Sequence, residues 1–389
     1  MVHFETIDVK TFLKDYWQKK PLVIRNALPT FVNPLSADEL AGLALEEGVE
    51  SRMVFETPKT APFWSLKTGP FDENDFATLP KTHWTLLVQG VDRSVPEVAQ
   101  LLNHFDFIPQ WRVDDVMISY AVTHGSVGPH YDHYDVFLFQ AEGRRKWSLT
   151  TKNCNVANYL TDVDLRIMAE FEVEEEYILE PGDMLYLPPH VGHHGVSLDD
   201  DCMTYSFGFR SYQGQELWES LGDFLYEKAS TTGLYQDPDW SELSATSAIP
   251  ETALQNAKHL MQAMMNDEAL LKRWFGCFST RMDQAAEQDM PEPLSDEEAG
   301  SRAIFIDELR GNVGLMRDPT CRMAYLEDVE FALFVNGCEW DITGVTPALV
   351  KYVANHRQLD RRDLSPFFAS DDDQIFLYEL WRLQWLNFR

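Results

Sequence analysis

The apolar positions of this chain change character twice. Residues 1–90 mix helical and strand signals. Within them, Ser36-Ala-Asp-Glu-Leu-Ala-Gly-Leu-Ala reads as a capped helix, with Ser36 as N-cap and Glu39 at the third helical position. From Asp115 to Leu149 the apolar residues gather into short runs: Val116-Met-Ile-Ser-Tyr-Ala-Val, Val136-Phe-Leu-Phe-Gln and Lys146-Trp-Ser-Leu-Thr. Gly125, Gly128-Pro129 and Gly143 punctuate them as turn-formers. Tyr177-Ile-Leu, Asp183-Met-Leu-Tyr-Leu and Met203-Thr-Tyr-Ser-Phe-Gly-Phe continue the series. Short strands broken by Gly and Pro predict an antiparallel sandwich or barrel.

After about residue 211 the spacing becomes helical, in Gln215–Tyr226 and again from Thr252 to Phe278. The apolar faces these helices carry (Leu217, Leu221, Leu225; Leu260, Met264, Leu270, Trp274) need the barrel, each other or a second subunit to bury against. Met290-Pro-Glu-Pro-Leu-Ser-Asp-Glu-Glu-Ala reads as a linker. Beyond it, residues 301–389 hold helix and hairpin patterns, including Val329-Glu-Phe-Ala-Leu-Phe-Val with the turn Asn336-Gly337, and suggest a small winged-helix-like unit. The expected division is 1–210, 211–290 and 291–389.

Composition narrows the class. The chain has 389 residues, 44% of them hydrophobic, enough for one large core and further smaller units. Its five cysteines are scattered without a C-x-x-C pair, which fits a reducing compartment and neither a disulfide framework nor a zinc site. With no apolar run long enough to span a bilayer and no signal-like start, the expectation is a cytoplasmic protein without a membrane partner. The formal net charge is −31. Such a surface repels nucleic acid and anionic lipid and draws basic partners over a Debye length of about 8–10 Å. Solubility or a salty habitat explains it equally well. Residues 301–389 carry 14 acidic and 10 basic side chains, which argues against DNA binding by that unit.

The candidate chemistry begins at Gly128-Pro-His-Tyr-Asp-His-Tyr-Asp135. A histidine and an aspartate two positions apart on a strand project from one face. With a distant histidine they make the 2-His-1-carboxylate set that holds non-haem Fe(II) and leaves positions open for substrate and O₂. Two such pairs overlap here, His130/Asp132 and His133/Asp135, on opposite faces of a regular strand, so one of them faces an interior. Downstream, Gly182, Pro188 and His193 are spaced as in the second cupin motif, which presents its last histidine into the barrel. His193 is the third candidate ligand on that resemblance; His190, where the motif has Gly, reads as a loop residue, and His194 points away. Gly143-Arg-Arg-Lys-Trp147 supplies a cation. A 2-oxoglutarate enzyme needs one to hold the far carboxylate of that co-substrate, and a guanidinium does so with two parallel hydrogen bonds. Arg145 shares a face with Trp147, which turns Arg144 and Lys146 outward.

H-x-D, a basic residue before an aromatic one, then a late histidine: this pattern resembles the JmjC oxygenases over roughly residues 90–210, although many of those have Lys where Arg145 stands. Read with Trp17-Gln-Lys-Lys-Pro-Leu-Val and Pro181-Gly-Asp-Met-Leu-Tyr-Leu-Pro-Pro, the chain is similar to the bacterial ribosomal oxygenases. Those enzymes hydroxylate an arginine of a large-subunit ribosomal protein, the sixteenth, at its β-carbon. The resemblance implies an α+β protein: a double-stranded β-helix (the cupin/JmjC jelly roll), a helical dimerisation region and a winged-helix-like tail. It implies Fe(II) on His130, Asp132 and His193, with 2-oxoglutarate held by Arg145 and Ser119, O₂ as oxidant, a basic ribosomal protein as substrate, and a homodimer. Two other readings fit the same residues. One is this chemistry on another protein, a nucleoside or a small molecule; the other is a cupin-like module that binds metal without turnover.

Overall fold

The computed structural model describes residues 1–389 apart from 60, 62, 162, 229–232, 240–246 and 328–330. Twelve strands build the first unit: β1 (Leu22–Ile24), β2 (Ser51–Glu56), β3 (Trp64–Thr68), β4 (Trp84–Val88), β5 (Val113–Ala121), β6 (His130–Tyr131), β7 (Asp135–Glu142), β8 (Arg145–Thr150), β9 (Glu175–Leu179), β10 (Met184–Leu187), β11 (Gly192–Ser197) and β12 (Cys202–Phe209). They form an eight-stranded sheet in the order β1-β10-β7-β12-β5-β4-β2-β3 and a four-stranded sheet in the order β6-β11-β8-β9. Every pairing in both sheets is antiparallel.

The two sheets face each other across a small apolar core. Val136, Leu138, Leu185 and Leu187 come from the large sheet and Trp147, Leu149 and Leu179 from the small one. The back of the large sheet is also covered. Phe137, Phe139, Tyr186, Phe207 and Phe209 pack there with Phe12, Phe105 and Trp17 of the N-terminal segment and the helical insert. Burial on both faces is why residues 136–139 of β7 and the whole of β10 read as unbroken apolar runs instead of alternating ones. The double-stranded β-helix expected from the sequence is therefore present, with β1 added beside β10 and β2–β4 beside β5. Ser36 and Glu39 form the anticipated capping box, side chain to backbone in both directions.

Beyond the barrel, helices run over Gly214–Lys228, Glu251–Met265 and Glu268–Thr280. The single helical stretch expected over Thr252–Phe278 is divided, because Asp267 caps a new helix by accepting from the Leu270 amide. The expected linker is likewise not extended throughout: Asp296–Ala299 is helical, capped reciprocally by Ser295 and Glu298, with Ala299 buried. The last unit packs the helices Arg302–Gly311, Pro347–Asn355 and Asp371–Arg382 with two three-stranded sheets around its own core of Phe305, Leu315, Leu333, Val350 and Leu377. Its hairpin joins Ala332–Val335 to Cys338–Trp340 through Asn336 and Gly337, whose φ of 45° and 83° are those of the tight two-residue turn. Val329 and Glu330, the start of the predicted strand, lie outside the described residues. No helix among the described residues is long and apolar enough to cross a membrane.

Candidate metal centre

His130 opens the short strand β6 and pairs in register with His193 of β11. That pairing turns both imidazoles to the same side, with ring centroids 4.2 Å apart. Asp132 follows two residues later, its Oδ2 3.6 Å from His193 Nε2. One ligand-type atom from each of the three lies within 4.8 Å of the others. The two histidines use their other nitrogens on backbone carbonyls: His130 Nδ1 is 3.0 Å from the Gly128 oxygen and His193 Nδ1 3.1 Å from that of Val191. A proton on each Nδ1 leaves both Nε2 lone pairs for a metal, the arrangement in which a carbonyl partner fixes tautomer and ring orientation. Burial, and then the neighbouring His130, push His193 down to about 4, so its ring is neutral at physiological pH. Two imidazoles and one carboxylate fit a first-row divalent ion such as Fe(II).

Arg145 lies on the inner face of β8, in register with Ser197 of β11 and Leu179 of β9. It is 3% exposed, and its Nε and Nη2 have no hydrogen-bond partner among the described residues. Two orphaned donors on a buried cation are costly unless a ligand anion meets them. The guanidinium sits 5.7 Å from the Trp147 ring, and that ring 5.8 Å from His193, so the indole spans the gap between cation and triad. Gly195 makes room for it: a Cβ there would stand 2.7 Å from two carbons of the indole. Arg144 and Lys146 point outward to Asp199 and Glu176, as the strand alternation required.

Ser119 belongs to the other, eight-stranded sheet. It is buried on β5 between Leu87 and Thr204, in an inner-face patch that includes Thr204 and Gln140. It makes no hydrogen bond to Arg145. His190 is an exposed loop residue with φ 64°, its amide donating to the Asp132 carbonyl at 2.8 Å. His194 points away from His193, its Nε2 buried without a partner among the described residues. The competing pair is split. His133 packs against the His190 ring at 4.9 Å, while Asp135 is fully buried on the far side. The Asp135 carboxylate accepts from Tyr186 Oη (2.6 Å), Gln18 Nε2 (3.1 Å), Arg112 Nη2 (3.2 Å) and Ser211 Oγ (3.3 Å). The strand breaks between Tyr131 and Asp135, so the regular alternation does not carry through: Asp132 is half-buried beside the histidines, whereas Asp135 is fully buried.

Sequence reading missed a buried acid near the start of β5. Asp115, at the start of β5, is buried and accepts from Gln89 Nε2 (2.7 Å) and the Gly90 amide (3.0 Å). Burial, with Asp114 and Asp92 nearby, pushes its carboxyl up to about 7. The signal available was an Asp-Asp pair opening an apolar strand.

Residues 100–217 match the JmjC domain family, and residues 263–387 match the ROXA-like winged helix family. The Escherichia coli ribosomal protein uL16 3-hydroxylase is 36% identical over 288 residues, 74% of this chain and 75% of that one. A probable ribosomal oxygenase of Haemophilus influenzae is 33% identical over 385 residues, covering 95% and 91%. Among solved structures, Escherichia coli YcfD superposes over 100% of both chains with a TM-score of 0.86 at 31% identity. The same protein in complex with cobalt and 2-oxoglutarate gives 0.83 at 30% identity over 99% of each chain. Alike in the barrel, in the tail and over almost the whole of the Haemophilus relative, this chain belongs to the ribosomal oxygenase family of JmjC proteins.

Proposed function

We propose that this protein is an Fe(II)- and 2-oxoglutarate-dependent hydroxylase that oxidises C3 of an arginine in a large-subunit ribosomal protein. The observation that carries the reading is the pairing of two unfilled demands inside one barrel. The triad offers two imidazoles and a carboxylate to a metal, and the buried Arg145 guanidinium offers its Nε and Nη2 donors, unpartnered among the described residues, to a carboxylate. His130, Asp132 and His193 would hold the iron, and Arg145 with Ser119 the far carboxylate of 2-oxoglutarate. When bound, iron, co-substrate and O₂ together supply an oxidant strong enough to hydroxylate an unactivated C–H bond, with succinate and CO₂ as the other products. The chain itself contributes geometry and dryness. The Gly128 and Val191 carbonyls fix the two rings, Trp147 separates triad from guanidinium, and Val136, Leu138, Leu149, Leu185 and Leu187 keep water from the barrel interior.

The substrate assignment rests on the named activity of the Escherichia coli relative and on charge. A chain of net charge −31 draws a basic ribosomal protein toward it. The protein works as a cytoplasmic homodimer, with residues 211–290 as the pairing region, 1–210 as the oxygenase and 291–389 as the tail. In favour of pairing, none of the side chains of the helix Glu251–Met265 is fully buried among the described residues, and Leu254, Met261 and Met265 stand exposed.

Purified ribosomal proteins incubated with this protein, Fe(II), 2-oxoglutarate and ascorbate test the assignment, beside a His130→Ala control. One arginine peptide heavier by one oxygen, absent in the control, is the expected result. Succinate without a modified ribosomal peptide would keep the chemistry and reject the substrate. Neither product from iron-loaded protein would reject both.

A further inference from the structure

A second cavity, of about 260 Å³, lies at the seam between the barrel unit and the C-terminal unit and shares no lining residue with the metal centre. Four arginines reach it: Arg93 from the barrel side, and Arg317, Arg322 and Arg357 from the tail. Their charges are unequally answered. Arg93 is paired with Asp283 and Asp289, and Arg357 with Asp106. Arg322, 9% exposed, shares Asp114 with Arg210, and its Nη1 is buried with no hydrogen-bond partner among the described residues. Arg317, 7% exposed, has no carboxylate partner among the described residues. It donates only to neutral oxygens, the Val353 and Ala354 carbonyls and the Gln110 side chain.

The acids of the cavity do not offset this charge. Asp92 is buried beneath the Val116 amide, and Asp318 is engaged by Thr320; burial raises the carboxyl pKa of both. Asp114 is divided between two guanidinium groups. Burial, and then Arg357, hold Arg317 down at about 10, as expected of a cation whose own surroundings are short of negative charge. Leu102, Val113, Met316 and Met323 give the lining an apolar part, beside the side-chain amides of Gln100, Gln358 and Asn387. In size the cavity exceeds the engineered apolar one of about 150 Å³ that takes up benzene. A bare inorganic ion would leave those walls facing water, whereas an organic anion covers them and meets the guanidinium groups together.

We propose that this seam cavity is a second ligand site, which takes a compact organic anion with its carboxylate or phosphate on Arg317 and Arg322 and its apolar body against Leu102, Val113, Met316 and Met323. Such a ligand joins the two units. The arginines belong to the tail, whereas Gln110, Val113 and Asp114 belong to the barrel. Val113 and Asp114 also open β5, the strand that carries Ser119.

Calorimetric titration of the full-length protein with benzoate and with phenyl phosphate tests the proposal, under nitrogen with Mn(II) and 2-oxoglutarate saturating the barrel. The expected result is one site per chain, weakened about tenfold or more in Arg317→Met and in Ala99→Phe, and unchanged in Arg145→Met measured without 2-oxoglutarate. Ala99→Phe fills the cavity while leaving every arginine in place, so it carries the test if Arg317→Met fails to fold. No binding of either probe would overturn the proposal, as would binding indifferent to both cavity variants or lost with Arg145. Inorganic phosphate binding as tightly as phenyl phosphate would overturn the organic-anion assignment.

Discussion

Replacing Arg145 by methionine should make the empty protein more stable and the loaded one far weaker. The side chain is almost fully buried, with two donors unpartnered among the described residues, and each unsatisfied buried donor costs about 1–3 kcal/mol. Methionine fills much of the same space, keeps contact with Trp147 and carries no donor. Relief of even the lower figure twice over amounts to about 2 kcal/mol, or ~4–8 °C in the melting of a domain of this size. Co-substrate binding moves the other way. Two hydrogen bonds from a guanidinium to a carboxylate contribute about 1.5–3 kcal/mol each, so their loss should weaken 2-oxoglutarate by at least about 100-fold. Scanning calorimetry of the metal-free variant measures the first effect, and anaerobic titration of Mn(II)-loaded protein with 2-oxoglutarate the second. A metal-free variant that melts below the wild type would refute the view of Arg145 as a cation held in readiness for an anion. So would unchanged 2-oxoglutarate affinity.

Gly195→Ala should cost about 1–3 kcal/mol by overpacking the Trp147 indole, and should weaken 2-oxoglutarate because that ring also touches the Arg145 position; thermal melts and affinity both unchanged would contradict it. Asp115 predicts a pH dependence. Its carboxyl sits at about 7 against an ordinary 3.8, so between those values the folded chain holds a proton that the unfolded chain has lost. Its contribution to stability is complete below about pH 4 and disappears as pH rises through 7, a change on the order of 4 kcal/mol. Asp115→Asn keeps the acceptor for Gln89 and Gly90, so its melting temperature should gain on the wild type between about pH 5 and pH 8; parallel profiles would exclude the effect. The net charge of −31 predicts that melting rises as salt shortens the Debye length from about 30 Å at 0.01 M to about 8 Å at 0.15 M, and a flat or falling curve would count against self-repulsion.

The local chemistry of the site was legible because it is carried by short motifs. Gly128-Pro-His-Tyr-Asp and the Pro188 turn before His193 fix which side chains meet, and the alternation in Arg144-Arg-Lys-Trp fixes which arginine turns inward. Capping at Ser36 and the Asn336-Gly337 turn were legible for the same reason. What remained hidden depends on contacts across long stretches of chain. Sheet order, with β1 beside β10, is a matter of how the N-terminal segment returns to the barrel. The helical stretch around Asn266 divides because Asp267 can cap, a competition that periodicity does not register. The seam arginines lie in three separate places in sequence, and nothing local marks them as neighbours.

The second H-x-D pair has its own consequence. Asp132 sits in the three-residue link between β6, anchored by the His130–His193 pairing, and Asp135 at the start of β7, clamped by Gln18, Arg112, Tyr186 and Ser211. The position of a metal-binding carboxylate is thereby inherited from residues spread across nearly two hundred positions of the chain. A random mutagenesis screen scored on iron content should therefore recover iron-poor proteins altered at Gln18 or Arg112, which never approach the ion. A map of such hits drawn on the sequence would look scattered, and drawn on the fold it would outline one hinge post.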